Sequence, residues 1–384
     1  MSIFNLIAFR RELHTYPELS GQEQETAKRI VKQLKKHHPT QIIKNLGGHG
    51  VVAIYDTGNP GKTILFRADT DALPIQEVNT FAHKSVYEGV SHKCGHDGHT
   101  AILVGLAEKL HQHPFSKGKI ILLFQPAEEI GIGAKAVIED PRFKTLQPDY
   151  AFALHNVPGY PKGQIVCRTG TFNPAAISVV IKLQGKKAHA AQAENGINPD
   201  QAIAALITKV HELQNYDQAS EDYLKFTTIY TRIGTQDYGI SAGEGELHYT
   251  FRSWTKVKLE AAKKQLTQLI SDICGQYQLT YTLDWIYYFA ASINEEFAVN
   301  CIKQSTLKNS FSYYNKPDPF QWGEDFGLFT EKFRGAMFGL GAGEDMPALH
   351  HVDYDFPDDI IPFGIETFYG IAETINGKET SGIK

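Results

Sequence analysis

The stretch ISVVIKLQ, from Ile177 to Gln184, alternates apolar and polar side chains as a half-buried strand does. A helical pattern follows over 198–213. Strand-like runs at 223–233 and 246–254 come next, separated by a glycine-containing stretch at 234–245. A helical pattern over 256–277 and a strand-like run at 279–286 complete the segment. The order is β-α-β-β-α-β, the arrangement of a ferredoxin-like unit. Such a unit has its own core, so residues 175–288 are expected to form a domain inserted into another.

Outward from this segment the pattern changes. Helical patterns at 3–16 and 22–36 are broken by a turn at 17–21. Strand-like runs at 50–55, 62–67, 119–124 and 149–154 alternate with a helical stretch at 98–112. Downstream, helical stretches at 295–307 and 325–333 flank a short strand at 336–340. A last helix covers 361–375, and residues 376–384 read as a frayed tail. Strands alternating with helices predict an α/β layer fold with a largely buried sheet. The expected architecture is a discontinuous catalytic domain, residues 1–174 and 289–384, interrupted by the inserted domain at 175–288.

The 384 residues carry a net charge of −5, which provides no basic surface for nucleic acid or an anionic membrane. No apolar run reaches the length of a membrane span, and the first residues lack the pattern of a secretory leader. Four scattered cysteines, Cys94, Cys167, Cys274 and Cys301, suggest no disulfide framework, so a reducing cytoplasm is expected.

Chemistry concentrates in HKCGHDGH, residues 92–99, where three histidines, a cysteine and an aspartate precede a helix. Thiolate and imidazole are preferred zinc ligands. FQPAEE (124–129) follows an apolar strand and places Glu128 beside Glu129. Adjacent side chains diverge, so one can bind metal while the other handles a proton. Alone, the pair would read as solvated glutamates opening a helix. His155 in LHN, His350 and His351 in LHH, and Asp69 and Asp71 in RADTDALP are each weak signals alone. All but the His350–His351 pair sit at or just past the end of a predicted strand. Parallel strands bring their C-terminal ends together, where α/β enzymes place their sites.

Taken in order, RRELHTYPELS, RADTDALP, HKCGHDGH, FQPAEE, LHNVP, GKKAHAA, WGEDF and ALHH span nearly the whole chain. The sequence resembles the aminoacylase-like zinc metallopeptidase family. It is most similar to the amidohydrolase branch, with hippurate hydrolase, indole-acetyl-amino-acid hydrolase and N-acetyl-diaminopimelate deacetylase. The resemblance implies a two-metal catalytic domain with an inserted lid that often mediates dimerisation. It implies Cys94, His96, Glu129, His155 and His350 as metal ligands, with Cys94 able to bridge. Glu128 matches the general base, and Asp71 belongs with it in the catalytic apparatus. Asp69 and Asp97 are expected to orient ligands from behind. His189 and Arg252 match substrate contacts, His189 often from a neighbouring subunit. Departures fall at Ala193-Glu194, where relatives carry Pro-His, and at Gly239, where they carry asparagine.

The implied reaction is hydrolysis of the amide bond of an N-acyl amino acid or similar small molecule by a metal-activated water. Two divalent ions per chain are expected, zinc by ligand softness, with manganese, nickel and cobalt open. A homodimer formed through the lid is expected, with no nucleic-acid or membrane partner. Competing readings are a metallo-exopeptidase (dipeptidase or carboxypeptidase) on the same site, a hydrolase with Cys94 as nucleophile, and a non-catalytic binding protein on a retired hydrolase fold.

Overall fold

The computed structural model describes residues 3–377. The rest of the expected tail, 378–384, lies outside the described residues. Asn376, read as part of that tail, is instead buried and exchanges two hydrogen bonds with the backbone of Lys62. The chain divides into two compact units: one formed by residues up to 172, 292–317 and 324 onward, the other by 173–291 and 318–323.

In chain order, the first unit begins with helices α1 (Ile3–Thr15) and α2 (Gln24–Leu34) and strands β1 (Gln41–Leu46), β2 (Gly50–Asp56) and β3 (Thr63–Asp69). Then come α3 (His96–Gln112), β4 (Lys119–Gln125), α4 (Gly133–Glu139), α5 (Pro141–Lys144), β5 (Tyr150–Pro158), β6 (Ile165–Cys167) and β7 (Gly170–Asn173). The second unit contains β8 (Ala175–Gln184), β9 (Ala188–His189), α6 (Asp200–Glu212), β10 (Leu224–Ile233), β11 (Ile240–Ser241), β12 (Glu244–Ser253), α7 (Lys256–Gln276) and β13 (Thr280–Phe289). The chain returns with β14 (Ser292–Asn294), α8 (Glu296–Lys308), β15 (Tyr313–Asn315), α9 (Gly327–Thr330), β16 (Arg334–Gly343) and α10 (Ile361–Asn376).

The first unit's main sheet has the order β1-β2-β4-β3-β5-β16-β6-β15. Its central strands β4, β3, β5 and β16 run parallel. That explains the sequence of β4, KIILLFQ: covered on both faces, a central parallel strand reads as a continuous apolar run. Phe66 and Phe152 stack in the core, and Phe368 of α10 packs on Phe66 and Phe338. Each large side chain buried this way contributes about 1.5–3 kcal/mol.

In the second unit, β10-β12-β8-β13 form an antiparallel sheet. That order is what a β-α-β-β-α-β chain gives when its first strand lies inside the sheet. Val179, Ile181, Leu247 and Phe251 face the core shared with α6 and α7. Among the described residues, no helix is long and apolar enough to cross a membrane.

Three local expectations change. The strand β1 was not anticipated, because Lys44 and Asn45 break its alternation; Asn45 sits at φ 57, where the ladder with β2 slips. The helix expected over 325–333 shortens to the four residues of α9, because Asp325 is drawn into a buried ion network instead. The Glu128–Glu129 pair opens no helix but lies in a turn, with Ala127 at φ 55.

A candidate metal centre at the C-terminal edge of the parallel strands

Strand order reverses at β3, with β4 on one side and β5 on the other. The crevice at such a reversal, outside the carboxyl ends of the strands, is where open α/β sheets bind ligands. Asp69 ends β3, and Asp71 lies two residues beyond. Glu128 and Glu129 follow β4, His155 lies near the end of β5, and His350 lies on the loop after β16. His96 is the first residue of α3, and Cys94 immediately precedes that helix's N-cap, Gly95. Gly95 adopts φ 92, and a Cβ there would meet the Asn156 carboxamide at 2.4 Å, so only glycine allows this approach.

All five expected ligands converge. The donor atoms of Cys94, His96 and His155 lie within 4.8 Å of one another, as do those of Cys94, Glu129 and His350. Cys94 is common to both groups, the position a bridging thiolate would take. Its Sγ is 3.4 Å from His155 Nε2, and Glu129 lies 3.7 Å from His96 Nε2 and 3.6 Å from His350 Nε2.

The surrounding bonds prepare these donors. His155 Nδ1 donates to the Asn156 carbonyl at 2.9 Å, and His96 Nδ1 donates to the Asp71 carbonyl at 3.0 Å. Each bond fixes the tautomer that leaves Nε2 with a free lone pair. The Asp71 carboxylate accepts from the Glu129 backbone N–H at 3.0 Å and from the Ser20 hydroxyl at 2.7 Å. Asp71 therefore orients two ligands at once. Asp69 accepts from His99 Nδ1 at 2.6 Å and from Arg67 at 2.7 Å. Asp97 departs from expectation. Its carboxylate bonds Arg10 and His14 of α1 and none of the five ligands, because one step along the helix from His96 turns it about 100° away.

The electrostatics fit a cation. Among the described residues, His96 Nε2 and Glu129 Oε1 are buried with no hydrogen-bond partner, a costly arrangement unless something else satisfies them. Burial, with Glu324, Glu129 and Asp325 nearby, pushes Glu128 well above the usual carboxylate range. Burial likewise raises Glu129 to about 8, and burial with Glu129 and Glu128 raises the Cys94 thiol. Burial opposes the charged form of His96, but Asp69, Asp71 and Glu129 outweigh it and raise its pKa to about 10. Thiolate, imidazole and carboxylate donors together are a zinc-type set, and divalent ions would relieve this excess of buried negative charge. Glu128 itself is 5% exposed and, among the described residues, its carboxylate accepts no hydrogen bond; His96 Nε2 lies 4.0 Å from it.

His189 and Arg252 lie in the second unit. His189 is exposed on β9, which pairs with β11, and its Nδ1 accepts from the Ala191 backbone N–H at 3.1 Å. Arg252 lies on β12, half-buried, with no carboxylate partner among the described residues; burial lowers its pKa.

Several supporting residues escaped the sequence reading. Arg67, fully buried, donates to Asp69, Gln125, Glu324 and Asp325 and so ties the ends of β3 and β4 together. Glu23 accepts from the Ala127 backbone N–H at 2.8 Å and holds the turn that presents Glu128. Only RADTDALP, FQPAEE and WGEDF, already noted for other reasons, carried a trace of the first network.

The site agrees with what the chain resembles. It is 30% identical over 375 residues, 95% of this chain and 96% of the relative, to N-acetyldiaminopimelate deacetylase of Lactobacillus acidophilus. It is 33% identical over 353 residues, 90% of this chain and 82% of the relative, to N-acetyl-L-cysteine deacetylase of Bacillus subtilis. Among solved structures it matches the Bacillus subtilis YXEP protein, a dinuclear metal binding peptidase, with a TM-score of 0.82 at 26% identity, over 97% of this chain and 98% of that one. The model of peptidase family M20/M25/M40 matches residues 65–374, which include every ligand candidate and Glu128, and the chain belongs to that family.

Proposed function

We propose that the protein is a two-zinc amidohydrolase that removes the acyl group from an N-acyl amino acid. The observation that carries this reading is the pairing of two donor groups sharing Cys94 with an adjacent, unbonded Glu128. Cys94, His96, Glu129, His155 and His350 would hold the ions. When bound, two divalent ions polarise the scissile carbonyl and make the attacking water acidic.

The chain's own groups do the rest. Glu128 takes a proton from the attacking water as the new C–O bond forms, then delivers it to the nitrogen as the C–N bond breaks. Water is consumed, and a carboxylic acid and a free amine leave. Burial and the fixed carboxylates around Glu128 favour its holding that proton between the two steps. His189 suits the role of oxyanion donor: with Nδ1 occupied as an acceptor, its neutral ring carries its proton on Nε2. Arg252, without an acidic partner, suits the carboxylate of an amino-acid substrate. The relatives named as deacetylases of N-acetyldiaminopimelate and N-acetyl-L-cysteine support this substrate class.

Two further assignments belong to this reading. Strand β10 lies at an edge of its sheet with Ile229, Tyr230 and Ile233 exposed, which supports a homodimer through the inserted unit. All four cysteines are free and buried, which supports the cytoplasm.

The test is a panel of N-acetyl, N-benzoyl and indole-acetyl amino acids given to the zinc-loaded protein and to Glu128→Gln. The parent should release free amino acid. The variant should keep its metal and fold yet lose about a hundred- to ten-thousand-fold in kcat. Near-parental turnover in Glu128→Gln would move the proton-transfer role to another residue.

A further inference from the structure

We infer that Lys93 is a positioning residue whose buried ammonium clasps the His350 loop onto the Cys94 loop, holding the half of the metal centre that contains His350. The inference rests on the metal-binding reading above.

Lys93 is wholly buried. A buried ammonium must satisfy three N–H donors. Its Nζ finds three acceptors: Glu77 Oε1 at 2.5 Å, Asn79 Oδ1 at 2.7 Å and the backbone carbonyl of Tyr354 at 2.8 Å. Its own backbone carbonyl accepts from the His350 N–H at 2.7 Å. One residue thus grips the loop at 350 and again at 354. The strap at 77–79, which shares the ammonium, bonds the residues between: Val78 N–H donates to the Val352 carbonyl, and the Asn79 amide donates to that of Asp353. Tyr354 completes the connection, its hydroxyl accepting from the Asn156 amide beside the ligand His155.

The loop needs such a grip. His350 sits at φ 67, a left-handed conformation that costs a non-glycine residue about 1–2 kcal/mol. Its side chain is half-exposed, so packing does little to hold it. Cys94 follows Lys93 directly, so the clasp fixes His350 relative to the thiolate expected to be shared. Glu77 does not depend on the ammonium alone: it also bonds His14 at 3.0 Å and the Ser85 N–H at 2.7 Å.

The experiment counts zinc retained by metal-loaded protein during dialysis against graded chelator. The parent should hold two ions. Lys93→Met, which keeps the apolar stem, should hold one ion as the parent does and release the other about 10–100-fold more readily. The ion released should be the one lost by His350→Ala. Asn79→Ala, a milder change at a partly exposed position, should show the same split to a smaller degree and decides the matter if Lys93→Met does not fold. Both ions held at parental affinity in the variants, or both weakened equally, would overturn the clasp while leaving the metal reading intact. A parent that cannot hold two ions would overturn the metal reading itself.

Discussion

His155 and His189 both lie on strands, yet they belong to regions built on opposite plans. His155 is 4% exposed, its tautomer is set by a backbone carbonyl, and its neighbours are other ligand candidates. His189 is exposed on a two-residue strand, and among the described residues its ring's one hydrogen bond is accepted from the N–H two residues on. Groups that must hold metal geometry are fixed from several directions before anything binds. A group that serves by meeting a substrate can remain on a thin arm. If that contrast is right, perturbing the first region should cost stability and metal, and perturbing the second should cost turnover alone.

The largest effect on stability is expected at Arg67. Its guanidinium is the buried partner of Asp69, Glu324 and Asp325. Arg67→Met leaves Glu324 and Asp325 buried without their cation and Asp69 with its histidine neighbours alone, which should destabilise the protein by about 3–5 kcal/mol. Denaturant titration measures it. A loss below about 1 kcal/mol would mean the carboxylates simply take up protons, and the rigid half of the comparison would fail.

This network also marks the limit of what the sequence revealed. Cys94, His96, Glu128, Glu129 and His155 could be picked out because each lies near a strand end or helix start, and parallel strands gather such positions. Arg67 and Glu324 are 257 positions apart, and nothing local in either stretch announces that they meet. Lys93 likewise reads as an ordinary polar residue among histidines until the fold brings Tyr354 to it. The helix expected around Asp325 failed for the same reason: long-range ion pairing overrode local periodicity. Asp97 failed because position next to a ligand does not decide which way a side chain turns.

An effect of about 3 kcal/mol is expected from pH. Burial opposes the charged form of His14, but bonds to Asp97 and Glu77 outweigh it and raise its pKa to about 9. A folded value above the unfolded one stabilises the protein when the ring is protonated. The contribution is complete below about pH 6.5 and is lost as pH rises through 9. His14→Gln should flatten the stability profile between those limits. An unchanged slope would show that Arg10 and Lys93 balance Asp97 and Glu77 without help.

His189→Ala should lower turnover about 10–100-fold, or roughly 1.4–2.7 kcal/mol, with metal content and unfolding midpoint unchanged. Mixing this variant with Glu128→Gln distinguishes two arrangements. If His189 serves a neighbouring subunit, mixed dimers recover one working site. If it serves its own chain, mixtures show no more than the residual activity of the His189→Ala subunits. A fall in metal content would break the comparison, because it would make His189 part of the rigid region.

The smallest effect sharpens the contrast within the second unit. Arg232 pairs with Glu244 at 3.4 Å and Glu246 at 3.5 Å, so on paper it is a network like that of Arg67. The difference is water: the Arg232 side chain is 37% exposed, and Arg67 is fully enclosed. In solvent the carboxylates left by Arg232→Ala are rehydrated rather than stranded, and salt already screens them. The substitution should therefore cost far less than Arg67→Met, and high salt should shrink even that. Denaturant midpoints at low and high salt measure both. A loss approaching that of Arg67→Met would show that the second unit is also held by fixed charge, and that the exposure of His189 says nothing about how the surrounding chain is built.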